Sequence, residues 1–205
     1  MEVTYHGLSC IRLRGRDATV LIDPPQTALP GLARAAPDII VRTEGATDPE
    51  KLRAREGHAQ EVSGPGEFEV RGVGIYGVPA GETTVMRVEI DDVRVVSAGR
   101  LTRQLSEDEI DALGRVDILV VPVGGGDALT AGDATKLVSA LEPRIVVPAR
   151  FRSTGGGVEY DPVEKFAKEM GLAEGTWQML PKLNLSGPPA EDDETRVVIL
   201  EPRTS

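Results

Sequence analysis

Few side chains in this chain have the right type and spacing to do chemistry. Its 205 residues include two histidines, His6 and His58, and one cysteine, Cys10. A zinc cage needs about three to four nitrogen, sulfur or oxygen ligands, so a His-rich or Cys-rich site is excluded. His6 precedes a turn and His58 lies in a polar stretch with Glu56, Gln60 and Glu61, and both read as surface or structural residues. Cys10, between Ser9 and Ile11, reads as a buried inert thiol, since no base can be paired with it from the sequence. Gly72-Val73-Gly74-Ile75-Tyr76-Gly77 spells a dinucleotide fingerprint, but strand-like alternation runs through it where that motif needs a helix. Gly124-Gly125-Gly126 follows an apolar run and precedes a helix, as in a phosphate cradle, yet no Lys-Ser or Lys-Thr follows, so it reads as a plain loop. Asn184-Leu185-Ser186 is a glycosylation sequon without a secretory context and carries no weight.

The composition narrows the function classes further. Acidic residues outnumber Lys plus Arg by 33 to 23, giving a net charge of −10, which repels nucleic acid and anionic lipid. The start, MEVTYHGLSC, has neither a basic nor an apolar leader region, and no apolar run approaches membrane length. The expectation is a cytoplasmic protein with one domain over residues 1–205, no nucleic-acid or membrane partner and an oligomeric state left open.

The elements that must position any site follow from periodicity. Val3 to Tyr5, Ser9 to Arg14, Thr19 to Ile22, Asp38 to Arg42, Glu67 to Val70, Val73 to Tyr76, Val85 to Ile90 and Val93 to Val96 read as short strands. Their spacing predicts a meandering, largely antiparallel sheet. Ser106-Glu107-Asp108-Glu109 is a capping box opening a helix, and Val116 to Val123 reads as a strand buried on both faces. Helices over Ala131 to Leu141 and from Asp161-Pro162 to near Gly171 alternate with strands at Ile145 to Val147 and Arg196 to Leu200. Strands first, then alternating strands and helices, predict an α/β sandwich with helices outside packed sheets.

Four segments, in order, carry a family resemblance over most of the chain. Thr4-Tyr5-His6-Gly7-Leu8-Ser9-Cys10 with Val20-Leu21-Ile22-Asp23-Pro24, then Gly64-Pro65-Gly66-Glu67-Phe68-Glu69-Val70, then Val120 to Gly125, then Leu141-Glu142-Pro143-Arg144-Ile145-Val146-Val147-Pro148 resemble the metallo-β-lactamase fold. The resemblance is to its small bacterial metal-dependent hydrolases near the ascorbate-6-phosphate lactonase branch. It implies a four-layer αββα sandwich and a zinc or manganese centre.

At the positions where that family gathers its metal, this chain departs from the pattern. The family's Ser-His-x-His-x-Asp-His loop aligns with Thr43-Glu44-Gly45-Ala46-Thr47-Asp48-Pro49, its His-Leu-Gly-Asp with Ser97-Ala98-Gly99-Arg100, and its Pro-Met-His-Phe with Pro148-Ala149-Arg150-Phe151. The opening histidine aligns with Leu8. Arginine is permanently charged and cannot ligate, so Arg100 and Arg150 would replace the metal's positive charge beside Glu44 and Asp48. The expectation is therefore a non-catalytic protein with no cofactor, no catalytic residue and a binding site at Glu44, Asp48, Arg100 and Arg150 for an anionic small molecule or a protein partner. The competing expectation is a metal-dependent hydrolase, of lactonase or phosphoester type, using relocated ligands such as His6, Asp23, His58 or Glu67.

Overall fold

A computed structural model describes residues 1–25, 36–44, 59–153, 159–173, 177–190 and 192–203. Within them the chain forms two mixed sheets. The first contains β1 (Glu2–Tyr5), β2 (Ile11–Arg14), β3 (Thr19–Ile22), β4 (Ile39–Arg42), β5 (Gln60–Ser63) and β12 (Leu183–Asn184), in the order β12-β1-β2-β3-β4-β5. The second contains β6 (Gly66–Val70), β7 (Val73–Ala80), β8 (Thr83–Ile90), β9 (Val93–Ser97), β10 (Ile118–Pro122), β11 (Ile145–Ala149) and β13 (Arg196–Val197), in the order β13-β11-β10-β9-β8-β7-β6. Both sheets feed one apolar cluster, in which Tyr5, Leu13 and Ile39 of one join Ile75, Met86 and Val95 of the other. Each such side chain taken out of water contributes about 1.5–3 kcal/mol before the entropy of ordering it is counted.

The expected sandwich is therefore present, with corrections inside it. β1, β2 and β3 are antiparallel, but β3 pairs β4 in parallel at Val20↔Ile39 and β4 pairs β5 in parallel at Ile39↔Gln60, so the first sheet is not a simple meander. The clue lay in β4, whose four residues Ile-Ile-Val-Arg are all buried, the pattern of a parallel strand covered on both faces. β5 escaped the sequence reading because it is polar and only Val62 of its four residues is buried.

Three helices are present among the described residues: α1 (Glu107–Leu113), α2 (Ala131–Leu141) and α3 (Val163–Glu169). The capping box forms as predicted, Ser106 Oγ accepting from the Glu109 amide while the Ser106 amide donates to the Glu109 carboxylate at 2.8 Å. α2 packs against β10 and α3 against α2. Asp161 does not cap α3: Pro162 is the N-cap and the Asp161 carboxylate accepts from Lys165 Nζ at 2.7 Å. The predicted strand at Arg196 to Leu200 is a strand only at Arg196 and Val197, which pair with β11, with Val198 N adding a bond to Val146 O at 2.8 Å.

Candidate active site

The topology brings distant loops to one corner. β3 and β4 run parallel, as do β9, β10 and β11, so the segments leaving their carboxyl ends emerge together. Those segments carry Asp23, Thr43 and Glu44, Arg100, Asp127 and Arg150. Ligands in open α/β sheets characteristically bind in the crevice outside the carboxyl ends of the strands.

Arg100 Nε forms an ion pair with Glu44 Oε1 at 2.9 Å, and Nη1 donates to Asp127 Oδ2 at 3.5 Å. Its side chain is 44% exposed. Arg150, 12% exposed, is held far more tightly. Its Nη2 donates to both Asp127 oxygens at 2.9 and 2.7 Å and lies 2.6 Å from Tyr160 Oη, while Nη1 donates to Ser9 Oγ at 3.3 Å. The Tyr160 hydroxyl donates to Asp127 Oδ1 at 3.1 Å, closing a three-membered network. Burial alone would raise the Asp127 carboxyl, but its bonds to Arg150, with Tyr160 and Arg100 adding, outweigh that and hold it below its usual range.

Backbone geometry fixes this network in place. Arg150 has φ 51°, a left-handed conformation unusual for a non-glycine residue, and its amide donates to Leu8 O at 2.9 Å. Leu8 (φ 52°) and Asp23 (φ 46°) share that conformation at the same corner. Gly124 lies so close to the Arg150 carbonyl that a Cβ would overlap it, and Gly99, at φ 54°, lies equally close to the Thr43 side chain.

A second layer lies beneath. Asp23 accepts from the Thr43 amide at 2.8 Å through Oδ1 and from the Thr43 hydroxyl at 2.7 Å through Oδ2. Burial pushes the Asp23 carboxyl up to about 6, against the lowering effect of these two bonds, and the negative Glu44 nearby adds to the rise. Glu44, Arg100 and Asp127, together with Glu82, Thr83 and Thr102, line an open cavity of about 270 Å³.

Of the residues singled out from sequence, Glu44, Arg100 and Arg150 meet here. Asp48 and His58 lie outside the described residues. His6 is elsewhere: buried beside Thr4 Oγ1 at 3.3 Å, it is pushed down to about 4 by burial, with the positive Arg12 and Arg203 adding. Glu67 is exposed on β6 and is not part of the corner. Asp127, Tyr160, Ser9 and Glu82 were missed. Asp127 follows Gly124-Gly125-Gly126, and the signal that could have found it was an acidic residue just past the carboxyl end of a fully buried strand. An anion gripped by both arginines, as expected from sequence, is not what the corner offers, since the Arg150 guanidinium is occupied by Asp127, Tyr160 and Ser9.

Residues 2–150 match the beta-lactamase superfamily domain. The chain belongs to that superfamily. A UPF0173 metal-dependent hydrolase from Lysinibacillus sphaericus is 27% identical, over 79% of this chain and 89% of its own length. One from Pyrococcus horikoshii is 32% identical over 52% of each chain. Among solved structures, a Thermotoga maritima protein assigned to the Zn-dependent hydrolases of the metallo-beta-lactamase superfamily shares the fold, with a TM-score of 0.81 at 21% identity over 98% of this chain and 100% of that one. Igni18, a metallo hydrolase from Ignicoccus hospitalis, superposes with a TM-score of 0.63 at 19% identity over 97% and 94% of the two chains. The finer placement beside the ascorbate-6-phosphate lactonases finds no support in these relatives.

They overturn two expectations. Relatives named metal-dependent hydrolases contradict the reading of a non-catalytic superfamily member that has lost its metal site, and they favour the hydrolase alternative. They equally contradict the expectation of no cofactor, since a metal is what such relatives imply. Hard cations accept carboxylate and carbonyl oxygen, so a shortage of imidazole does not exclude them. The described side chains still do not form a cage on their own: among the described residues no group of three or more His, Cys, Asp or Glu is arranged to hold an ion.

Proposed function

We propose that the chain is a hydrolase acting at the corner lined by Glu44, Arg100 and Asp127. The observation that supports this best is the convergence of charged groups at the carboxyl ends of strands from both sheets, in a chain whose relatives are named hydrolases. Arg100 is the group open to the cavity, and its guanidinium can donate to an acyl or phosphoryl oxygen as negative charge develops there. Glu44, 2.9 Å from Arg100, stands where a carboxylate can take a proton from an attacking water. Asp127 is a positioning residue that ties Arg100 to the fixed Arg150. Asp23 acts through Thr43, holding the backbone from which Glu44 projects. A metal is the cofactor the relatives imply, and when bound it would supply Lewis-acid activation. We also assign the chain to the cytoplasm as a single domain. No helix among the described residues is long and apolar enough to cross a membrane.

The test is hydrolysis of a panel of carboxylic esters, lactones, thioesters and phosphoesters by purified protein, with and without added Zn²⁺ or Mn²⁺, alongside elemental analysis. Activity on at least one class, reduced about 10²-fold or more in kcat/KM by Arg100→Ala, is expected if Arg100 stabilises the developing oxyanion. No turnover of any class under any metal condition overturns the proposal.

A further inference from the structure

Among the described residues that line the cavity, one carboxylate lacks a counter-charge. Asp127 is neutralised by Arg150, and Glu44 by Arg100. Glu82, exposed in the turn between β7 and β8, also lines the cavity and makes no ion pair among the described residues. Among the described residues, the open space is thus bordered by the Glu82 carboxylate and by Arg100, whose charge is paired with Glu44 through Nε while its outer N–H groups have only Asp127, at 3.5 Å. A simple anion reaching Arg100 meets the repulsion of Glu82. A simple cation reaching Glu82 leaves the Arg100 donors without an added partner. A molecule carrying both charges satisfies both walls, and a volume of about 270 Å³ suits a small one.

We infer that this cavity recognises a small amino-acid-type zwitterion, a free α-amino acid or the aminoacyl part of a substrate, with its carboxylate or acyl oxygen on Arg100 and its ammonium on Glu82. The inference rests on the hydrolase reading for the place of the site and adds the class of molecule it takes. Arg100 can bind a carboxylate through a planar fork of N–H donors without leaving Glu44, because Nε makes that pair at 2.9 Å while Nη1 reaches Asp127 only at 3.5 Å. Glu82 offers the ammonium an ionised acceptor.

The probes are L-valine, N-acetyl-L-valine and L-valine amide, titrated at neutral pH into the full chain and followed by calorimetry and by NMR shifts of Arg100 and its neighbours. Valine should bind about tenfold or more tightly than its N-acetyl derivative, which lacks the ammonium, and several-fold more tightly than the amide, which lacks the carboxylate. Glu82→Gln should remove the preference for valine over N-acetylvaline while leaving the melting temperature unchanged, because Glu82 is exposed and unpaired among the described residues. Equal binding of valine and N-acetylvaline, or no binding of any probe, overturns the inference. So does a preference that survives Glu82→Gln.

The hydrolase reading fails or stands separately. Turnover that is as fast on N-acylated as on free-amine esters overturns the zwitterion and leaves the hydrolase. Valine binding with no turnover across the ester and phosphoester panel sinks the hydrolase and leaves the zwitterion site.

Discussion

Arg100 and Arg150 have the same side chain in the same corner, yet they should behave differently when truncated. Arg100 is 44% exposed and its pair with Glu44, itself 36% exposed, is a surface ion pair. Such pairs contribute up to about 1 kcal/mol, so Arg100→Ala should barely change urea-unfolding stability. Arg150 satisfies Asp127, Tyr160 and Ser9 together, and removing it strips Asp127 of its two shortest bonds, leaving the carboxylate only the Tyr160 hydroxyl at 3.1 Å and the exposed Arg100 at 3.5 Å. Arg150→Ala should cost about 2–4 kcal/mol in the same measurement. Asp23 makes a prediction about pH. Its folded pKa, about 6, lies above the ordinary 3.8, so the folded state holds this proton more tightly than the unfolded chain does. The stabilisation is fully present below pH 3.8 and is lost as pH rises towards about 6, a change of about 3 kcal/mol for a shift of this size. Asp23→Asn cannot titrate and should flatten that part of the stability profile, measured by chemical unfolding between pH 4 and 7.

Loops at strand ends hold the site, and two glycines show how closely. At Gly124 the space a Cβ needs is taken by the Arg150 carbonyl and, at 2.8 Å, by Tyr160 Cβ. Gly124→Ala must push β10's following loop off Arg150 and Tyr160, with an expected loss of about 2–4 kcal/mol. Gly132, within α2, has no described neighbour within 4 Å of where a Cβ would stand, so Gly132→Ala should raise stability by about 0.5–1 kcal/mol through helix propensity. Thermal melts of the two variants should therefore move in opposite directions. Most elements themselves were legible: α2 spans the predicted Ala131–Leu141, and the Ser106 capping box forms as read. β5 and β12 were not, because one exposes most of its side chains and the other is two residues long, too little for a period to register.

Across the whole molecule, sheet edges carry the clearest liability. β6 is a terminal strand of the seven-stranded sheet, and its Phe68, at 37%, is the exposed large apolar side chain among the described residues. Glu67 and Glu69 flank it. An antiparallel pairing of two copies centred on Phe68 would set Glu67 opposite Glu69, so like charges oppose association. Replacing both with threonine should produce dimers or larger species in light scattering at concentrations where the parent chain is monodisperse. The net charge of −10 works in the same direction over the whole surface.

Burial period, caps and turn residues determined the α/β sandwich and most of its strands and helices, because those signals are local and repeat along the chain. Four short segments also sufficed to place the chain in its superfamily. The pairing direction of β3, β4 and β5 was decided by tertiary structure, since the short apolar run of β4 is a clue that does not name its partners and polar β5 carries no such run. The site followed the same rule. Glu44, Arg100 and Arg150 could be named from alignment, but the division of labour between the two arginines could not. It depends on Asp127 and Tyr160, 23 and 10 positions from Arg150 along the chain, whose distances to it exist only after both sheets have packed.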